Sequence, residues 1–287
     1  MKTVLTIAGS DCSGGAGIQA DIKTITAHKM YAMSAVTALT AQNTLGVYGV
    51  QESTPDFLAL QLDCIFSDIR PDAVKIGMVS NGELITVIAE KLVAYQAENI
   101  VVDPVMVSTS GSKLLSDDAI DIFTKKLFPL ARIITPNIPE AEALCGFCIL
   151  HQEDMLAAAE KISDGLNPEC TRNQADATPK NQARQPGNAA IFIKGGHLKQ
   201  TADDLLYWKE QGHWFRSERV DNPNTHGTGC SLSSAIACNL AAGCGLEESV
   251  KLAKHYIKGA LAAGLNLGSG NGPLNHMYNL QICDTIK

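Results

Sequence analysis

Thr3-Val4-Leu5-Thr6-Ile7-Ala8 runs directly into Gly9-Ser10-Asp11-Cys12-Ser13-Gly14-Gly15-Ala16-Gly17, and Ile18-Gln19-Ala20-Asp21 follows. The first six residues, rich in β-branched side chains, read as a buried strand. Three glycines within four residues read as a tight loop, and the segment from Gly17 to His28 has helical period. Strand, glycine loop and helix in that order are the opening of a βαβ unit, which commits the chain to a parallel sheet.

The same alternation continues outward. Further strands are expected at Ala73–Ile76, Ile100–Val102, Arg132–Ile134 and Ala190–Ile193. Helices are expected at Pro55–Ile69, Gly82–Gln96, Ser116–Leu127, Pro139–Leu144, Met155–Ile162, Gly229–Ala242 and Leu246–Leu265. This order predicts an α/β fold with helices on both faces of a mostly parallel central sheet, in one domain spanning 1–287. Two stretches depart from it. Residues 164–188 are polar and rich in Asn, Gln and Pro, so they are expected to form an exposed insertion. Between Asp203 and Ser217 the pattern alternates, which predicts a small edge hairpin turning near Gln211-Gly212.

Composition narrows the partners. Hydrophobic residues make up 45% of the chain and aromatics only 5%, so the core must be mainly aliphatic. A net charge of -7 gives no electrostatic basis for nucleic acid or an anionic membrane. Nine cysteines are scattered without a disulfide framework, and Cys145-x-x-Cys148 lacks the second ligand pair of a zinc site. No basic, apolar leader precedes Ala8 and no apolar run reaches membrane-spanning length, so a cytoplasmic location is expected.

The strongest chemical signal is Asn224-Thr225-His226-Gly227-Thr228-Gly229-Cys230, followed by a helical segment of small residues. Its glycines admit a close ligand, and the N–H groups of the helix's first turn suit a phosphoryl anion. Cys230, at that helix start, is expected to have a lowered thiol pKa and to serve as a base. The loop after the first strand matches neither a P-loop, lacking Gly-Lys-Ser/Thr, nor a dinucleotide fingerprint. Asp21 reads equally as a helix-start acid or a substrate ligand.

Leu5 to Asp11 with Ser13 to Asp21, Thr37-Ala38-Leu39-Thr40-Ala41-Gln42-Asn43-Thr44, Lys75-Ile76-Gly77-Met78, Val102-Asp103-Pro104-Val105-Met106, Thr135-Pro136-Asn137-Ile138-Pro139-Glu140-Ala141, Lys194-Gly195-Gly196-His197 and Asn224 to Cys230 together resemble the phosphomethylpyrimidine kinases. These blocks span nearly the whole chain outside 164–188. The resemblance implies a ribokinase-like three-layer αβα sandwich, MgATP as phosphoryl donor, and 4-amino-5-hydroxymethyl-2-methylpyrimidine or its monophosphate as acceptor. It also implies that Gly9, Ala16, Asp21, Gln42, Met78 and Val105 line the acceptor pocket, that Asn137, Lys194, Thr225 and His226 meet ATP, and that relatives are homodimers. Cys230 stands where most ribokinase-like enzymes place an aspartate, a departure that phosphomethylpyrimidine kinases share.

The chemistry of the residues agrees with that reading. Asp103, at a strand end, and Glu140, at a helix start, are hard oxygen ligands for Mg²⁺, and Lys194 is a point charge for phosphate. Strand ends are where an open α/β sheet binds ligands. The Gln42 carboxamide complements the amino group and ring nitrogen of an aminopyrimidine, and leaving that pair unmatched costs about 1–3 kcal/mol. Gln42 as a strand cap is the other reading. A pyridoxal ring has no such amino group, so pyridoxal kinase is the rival activity, and a non-catalytic vitamer-binding protein a more distant one. His226 and His197 read as phosphate contacts or as packing residues, and Gly268–Leu274 as a turn that closes over the nucleotide or a plain loop.

Overall fold

The computed structural model of the chain describes residues 1–106, 117–166, 189–197, 203–216 and 222–280. The sheet strands are β1 (Thr3–Asp11), β2 (Tyr31–Asn43), β3 (Gly46–Glu52), β4 (Ala73–Ile76), β5 (Ile100–Val102), β6 (Ile133–Ile134), β7 (Ala190–Ile193), β8 (Asp204–Trp208) and β9 (Gln211–Phe215). The helices are α1 (Gly17–Ala27), α2 (Pro55–Asp68), α3 (Gly82–Ala94), α4 (Asp117–Lys126), α5 (Ile138–Cys145), α6 (Gln152–Gly165), α7 (Thr228–Ala241) and α8 (Leu246–Ala262). Each expected strand and helix is present within a few residues of its expected bounds. The predicted insertion lies outside the described residues beyond Leu166, and residues 164–166 end α6.

All nine strands form one sheet in the order β3-β2-β1-β4-β5-β6-β7-β8-β9. β2, β1, β4, β5, β6 and β7 pair in parallel, and the β2–β3, β7–β8 and β8–β9 pairs at the two edges are antiparallel. Side-chain alternation sends Leu5, Ile7, Val74, Ile76 and Val102 to a core shared with α2 to α6. It sends Val4, Ala73, Val101, Ile133 and Phe192 to a second core under α7 and α8, with Ile25 of α1. Three layers result, as expected, because both faces of a parallel sheet must be covered.

Two features depart from the sequence reading. The β2–β3 pair is unexpected, since the Ala- and Thr-rich alternation of Tyr31–Asn43 gives little hydrophobic contrast. β2 extends past its pairing with β1, which ends at Asp11↔Thr40, so Gln42 overhangs the end of β1. The edge hairpin turns two residues earlier than predicted, at Lys209-Glu210, where φ is 51° and 61°. Positive φ at both central residues is the type I′ geometry that matches strand twist, here adopted without glycine.

A buried ion pair ties the layers together beneath the sheet's C-terminal end. Lys75 on β4 donates to both oxygens of Asp21 on α1, at 3.0 and 2.8 Å, and both side chains are fully buried. Thr6 Oγ1 of β1 and Ser234 Oγ of α7 donate to the same carboxylate at 2.6 and 2.8 Å. The Asp21 oxygens, which the resemblance implied would face the acceptor, are thus engaged inside the core. Lys75, despite a burial that favours the neutral amine, is held above its ordinary pKa by the charge of Asp21. Replacing Lys75 by Met leaves a buried carboxylate unpaired, and the expected loss is about 3–5 kcal/mol of unfolding free energy. Lys75→Met combined with Asp21→Leu should recover most of that loss in a urea titration. A single variant as stable as the parent protein would contradict the pairing.

Candidate active site

Strand order reverses between β2-β1 and β1-β4, and α1 lies on the opposite face from α2 and α3. That is a topological switch point, and the crevice outside the carboxyl ends of the strands is where such sheets bind ligands. Gly9 to Asp11, Gly77-Met78, Asp103, Asn137 and Lys194 all stand at strand C-termini around it.

Two loops interlock at its centre. Gly227 precedes α7 with φ of 81°, and a Cβ there would overlap the carbonyl of Gly15. A Cβ on Gly15 would in turn overlap the ring of His226. Only backbone fits at this crossing, and it brings the N-termini of α1 and α7 together. Thr228 N–H is taken by Thr225 O at 3.2 Å, so Gly229 and Cys230 are left to offer the first-turn N–H groups of α7 to an anion. Of the first-turn amides expected to suit a phosphoryl anion, that of Thr228 is thus already engaged.

Lys194 reaches the same helix start: its Nζ lies 3.3 Å from where a Cβ on Gly229 would stand. It donates to Asp103 Oδ1 at 2.9 Å and lies 4.0 Å from Glu140 Oε2. Asp103 also accepts from Thr135 Oγ1 at 3.0 Å and Ser233 Oγ at 3.3 Å. Burial works against the Asp103 charge, but Lys194 and Lys75 outweigh it and hold the carboxyl below its ordinary range. Glu140 is pushed up to about 7 by burial, with the charge of Asp103 opposing Lys194. Its Oε2 accepts from Asn137 N–H at 2.8 Å while Asn137 Oδ1 accepts from Glu140 N–H at 2.9 Å, a reciprocal cap at the start of α5. The Oδ1 of Asn137, a residue expected to meet ATP, is thus engaged in fixing Glu140.

The Cys230 thiol is half-buried and has Gly17 N–H and Lys75 beside it. The expected lowering of its pKa is not found. Burial is the largest cause and pushes it up to about 11, with the charges of Asp21 and Asp103 acting the same way and Lys75 and the Gly17 N–H acting against them. At rest it is a neutral thiol.

On the acceptor side, a Cβ on Gly9 would lie 3.0 Å from Met78 Sδ, and the Met78 carbonyl is held by Thr37 Oγ1 at 2.8 Å. Val105 and Ala16 are partly exposed around the same crevice. Gln42 lies 3.2 Å from both Thr40 Oγ1 and His226 Nε2. His226, expected to meet ATP, is buried, with its ring 2.9 Å from Asp11 Oδ2 and beside Gln42. Thr225 is exposed at the loop's outer surface. The side chain of His197 lies outside the described residues.

Sequence reasoning missed three features of the site. Lys75 sits in an apolar strand run, and only pairing with a residue 54 positions away reveals its role. Asp11 and His226 are 215 residues apart. A cavity of about 400 Å³, lined by Asn222, Pro223, Asn224, Leu261, Ala262 and Leu265 among others, adjoins the loop before α7. The turn after α8 closes against that loop, with Gly272 N–H donating to Asn224 Oδ1 at 3.1 Å, and against the β2–β3 turn, with Gly270 N–H donating to Thr44 Oγ1 at 3.2 Å.

The phosphomethylpyrimidine kinase family profile matches residues 11–171 and 167–275. The chain is 43% identical over 277 residues to the hydroxymethylpyrimidine/phosphomethylpyrimidine kinase of Rhizobium meliloti, covering 96% of each protein. It is 45% identical to the thiamine biosynthesis bifunctional protein ThiED of Geobacter sulfurreducens, over 96% of this chain but 52% of that longer protein. Among solved structures, the phosphomethylpyrimidine kinase of Clostridium difficile 630 is 44% identical with a TM-score of 0.74, over 90% of this chain and 98% of that one. The Bacillus subtilis pyridoxal kinase in its ADP complex has a TM-score of 0.82 at 34% identity, over 97% of this chain and 98% of that one. The backbone shape is therefore common to both activities, and sequence identity separates them. On family profile, identity and site arrangement alike, the chain belongs to the phosphomethylpyrimidine kinases, phosphotransferases of the ribokinase-like fold.

Proposed function

We propose that residues 1–287 act as one domain that phosphorylates 4-amino-5-hydroxymethyl-2-methylpyrimidine and then its monophosphate, with MgATP as donor in both steps. The observation that carries this reading is the convergence of the α7 N-terminus, Lys194, Asp103, Glu140 and the Gln42 carboxamide at one switch point.

Phosphoryl transfer asks the protein mainly for positioning and charge neutralisation. The cavity beside Asn224, with apolar walls from the end of α8, takes the nucleotide base, and Lys194 with the Gly229 and Cys230 amides takes the phosphates. Asp103 and Glu140 supply hard oxygens, and among the described residues no cluster of three or more His, Cys, Asp or Glu forms a cage. That donor set fits Mg²⁺, which keeps waters and phosphate oxygens as ligands; bound there, it would neutralise phosphate charge. Lys194 now neutralises both carboxylates, so it is already placed to exchange that role for a phosphate.

Gln42 reads the acceptor ring through its outer amide edge, and this favours a pyrimidine over pyridoxal. Cys230 contacts the acceptor hydroxyl and takes its proton in the first step. In the free chain the thiol is protonated, so this role requires that it first release its own proton to solvent when the substrates assemble. In the second step the acceptor is a phosphate oxygen that needs no base.

A second copy of the chain is proposed to cover the β2–β3 edge. Leu45, Tyr48 and Val50 are 62%, 71% and 47% exposed there, an apolar edge that a lone outer strand does not ordinarily present to water.

Three outcomes follow. Side by side at fixed MgATP, both pyrimidines should be turned over with kcat/KM well above that of pyridoxal; exclusive use of pyridoxal would overturn the assignment. Cys230→Ala should slow alcohol phosphorylation by roughly 10²–10⁴-fold and the monophosphate step far less; equal losses would leave the thiol only a positional role. Light scattering should report a dimer that Tyr48→Asp dissociates, and a monomeric parent protein would remove the proposed interface.

A further inference from the structure

The Asp11 carboxylate is the hub of the loop after β1. Its Oδ1 accepts from Ser13 N–H at 2.9 Å and Ser13 Oγ at 2.7 Å. Its Oδ2 accepts from Gly15 N–H at 3.1 Å and Ala16 N–H at 2.8 Å. Although burial alone would raise it, these bonds with that from His226 hold the carboxyl well below the usual carboxylate range. It carries no proton to give. His226 Nε2, 2.9 Å from Oδ2, must therefore be the protonated ring nitrogen and the donor.

That N–H fixes the next residue. His226 Nε2 lies 3.2 Å from Gln42 Nε2, and Gln42 Oε1 lies 3.2 Å from Thr40 Oγ1. A half-turn about Cγ–Cδ exchanges the amide's oxygen and nitrogen with little change of shape, so the partners decide which faces where. Two N–H groups cannot face each other. The carbonyl oxygen therefore belongs towards His226, and the NH₂ towards Thr40 Oγ1. Thr40 can accept that bond because its own hydroxyl donates to Ser10 O at 2.9 Å. With the amide turned, the one His226 Nε2–H is shared between Asp11 Oδ2 and the Gln42 oxygen, and each contact from Asp11 through His226, Gln42 and Thr40 to Ser10 has a donor facing an acceptor. It leaves one carbonyl lone pair and one N–H side by side on the amide's outer edge.

We propose that His226 is a specificity-determining positioning residue, which orients the Gln42 carboxamide so that an aminopyrimidine is accepted in only one of its two facings. With the amide reversed, donor and acceptor exchange places and the ring must turn over to pair, carrying its hydroxymethyl group away from Cys230. The same residue lies in the loop that leads into α7, so the acceptor reader and the phosphoryl site are fixed by one side chain. This inference rests on Gln42 as the acceptor contact.

The test is steady-state kinetics on His226→Leu, Thr40→Val and Gln42→Leu with 4-amino-5-hydroxymethyl-2-methylpyrimidine, pyridoxal and MgATP. His226→Leu should raise KM for the pyrimidine about tenfold, as expected for the loss of one orienting hydrogen bond, while KM for ATP stays within about twofold. Preference for the pyrimidine over pyridoxal should fall in proportion. Thr40→Val, which cuts the chain at its other end without touching either glycine loop, should show the same acceptor-selective loss, and it carries the test if His226→Leu does not fold. A rise in KM for ATP with the acceptor KM unchanged, or equal rises in both, would overturn the proposal. If Gln42→Leu itself leaves the acceptor KM unchanged, the reading of Gln42 fails first; if only Gln42→Leu raises it, Gln42 stands and the role of His226 falls.

Discussion

The site depends on a place where two loops cross with no room for a side chain. Gly15 and Gly227 meet backbone to backbone, with the His226 ring packed on the first and the α7 helix starting from the second. A Cβ on Gly227 would meet the Gly15 backbone and force the start of α7 away from the loop after β1. The crevice would then keep its carboxylates and lysine but lose the amides that face them. Close approach, more than any single charge, makes a phosphoryl site out of an ordinary switch point.

Around that crossing the protein arranges charge in two tiers. The lower tier, Lys75 with Asp21, is fully buried and closed by Thr6 and Ser234. It holds β1, β4, α1 and α7 in register and has nothing left to offer a ligand. The upper tier, Lys194 with Asp103 and Glu140, is tied by one close and one longer ion pair. Glu140, raised to about 7, is the less committed carboxylate of the two. A pairing that is only partly made can be exchanged for phosphate and a cation, whereas the lower tier cannot be opened without unpairing a buried charge.

Much of this was legible in the sequence because it is local. Runs such as Ala73–Ile76 and Ala190–Ile193 are apolar and β-branched, and they are strands to the residue. The Asn224 to Cys230 run carries its own loop and helix start. What was not legible depends on burial and distant pairing. Asp21 looks like a ligand from its place near a helix start, and its saturation by Thr6, Lys75 and Ser234 appears only in three dimensions. Position at a helix start suggests a favoured Cys230 thiolate, but burial, the largest cause, raises the thiol pKa, and its size is not encoded by position along the chain. The β2–β3 pair escaped notice because its alternating residues are mostly Ala, Thr and Ser, which differ little in hydrophobicity.

The most direct measurement is a crystal structure with 4-amino-5-hydroxymethyl-2-methylpyrimidine and a non-hydrolysable ATP analogue bound together. The account places the γ-phosphate on the amides of Gly229 and Cys230, the ring's amino edge on the Gln42 carboxamide, and the acceptor hydroxyl between Cys230 and the phosphate. A γ-phosphate seated elsewhere, or a ring bound out of reach of Gln42, would contradict it.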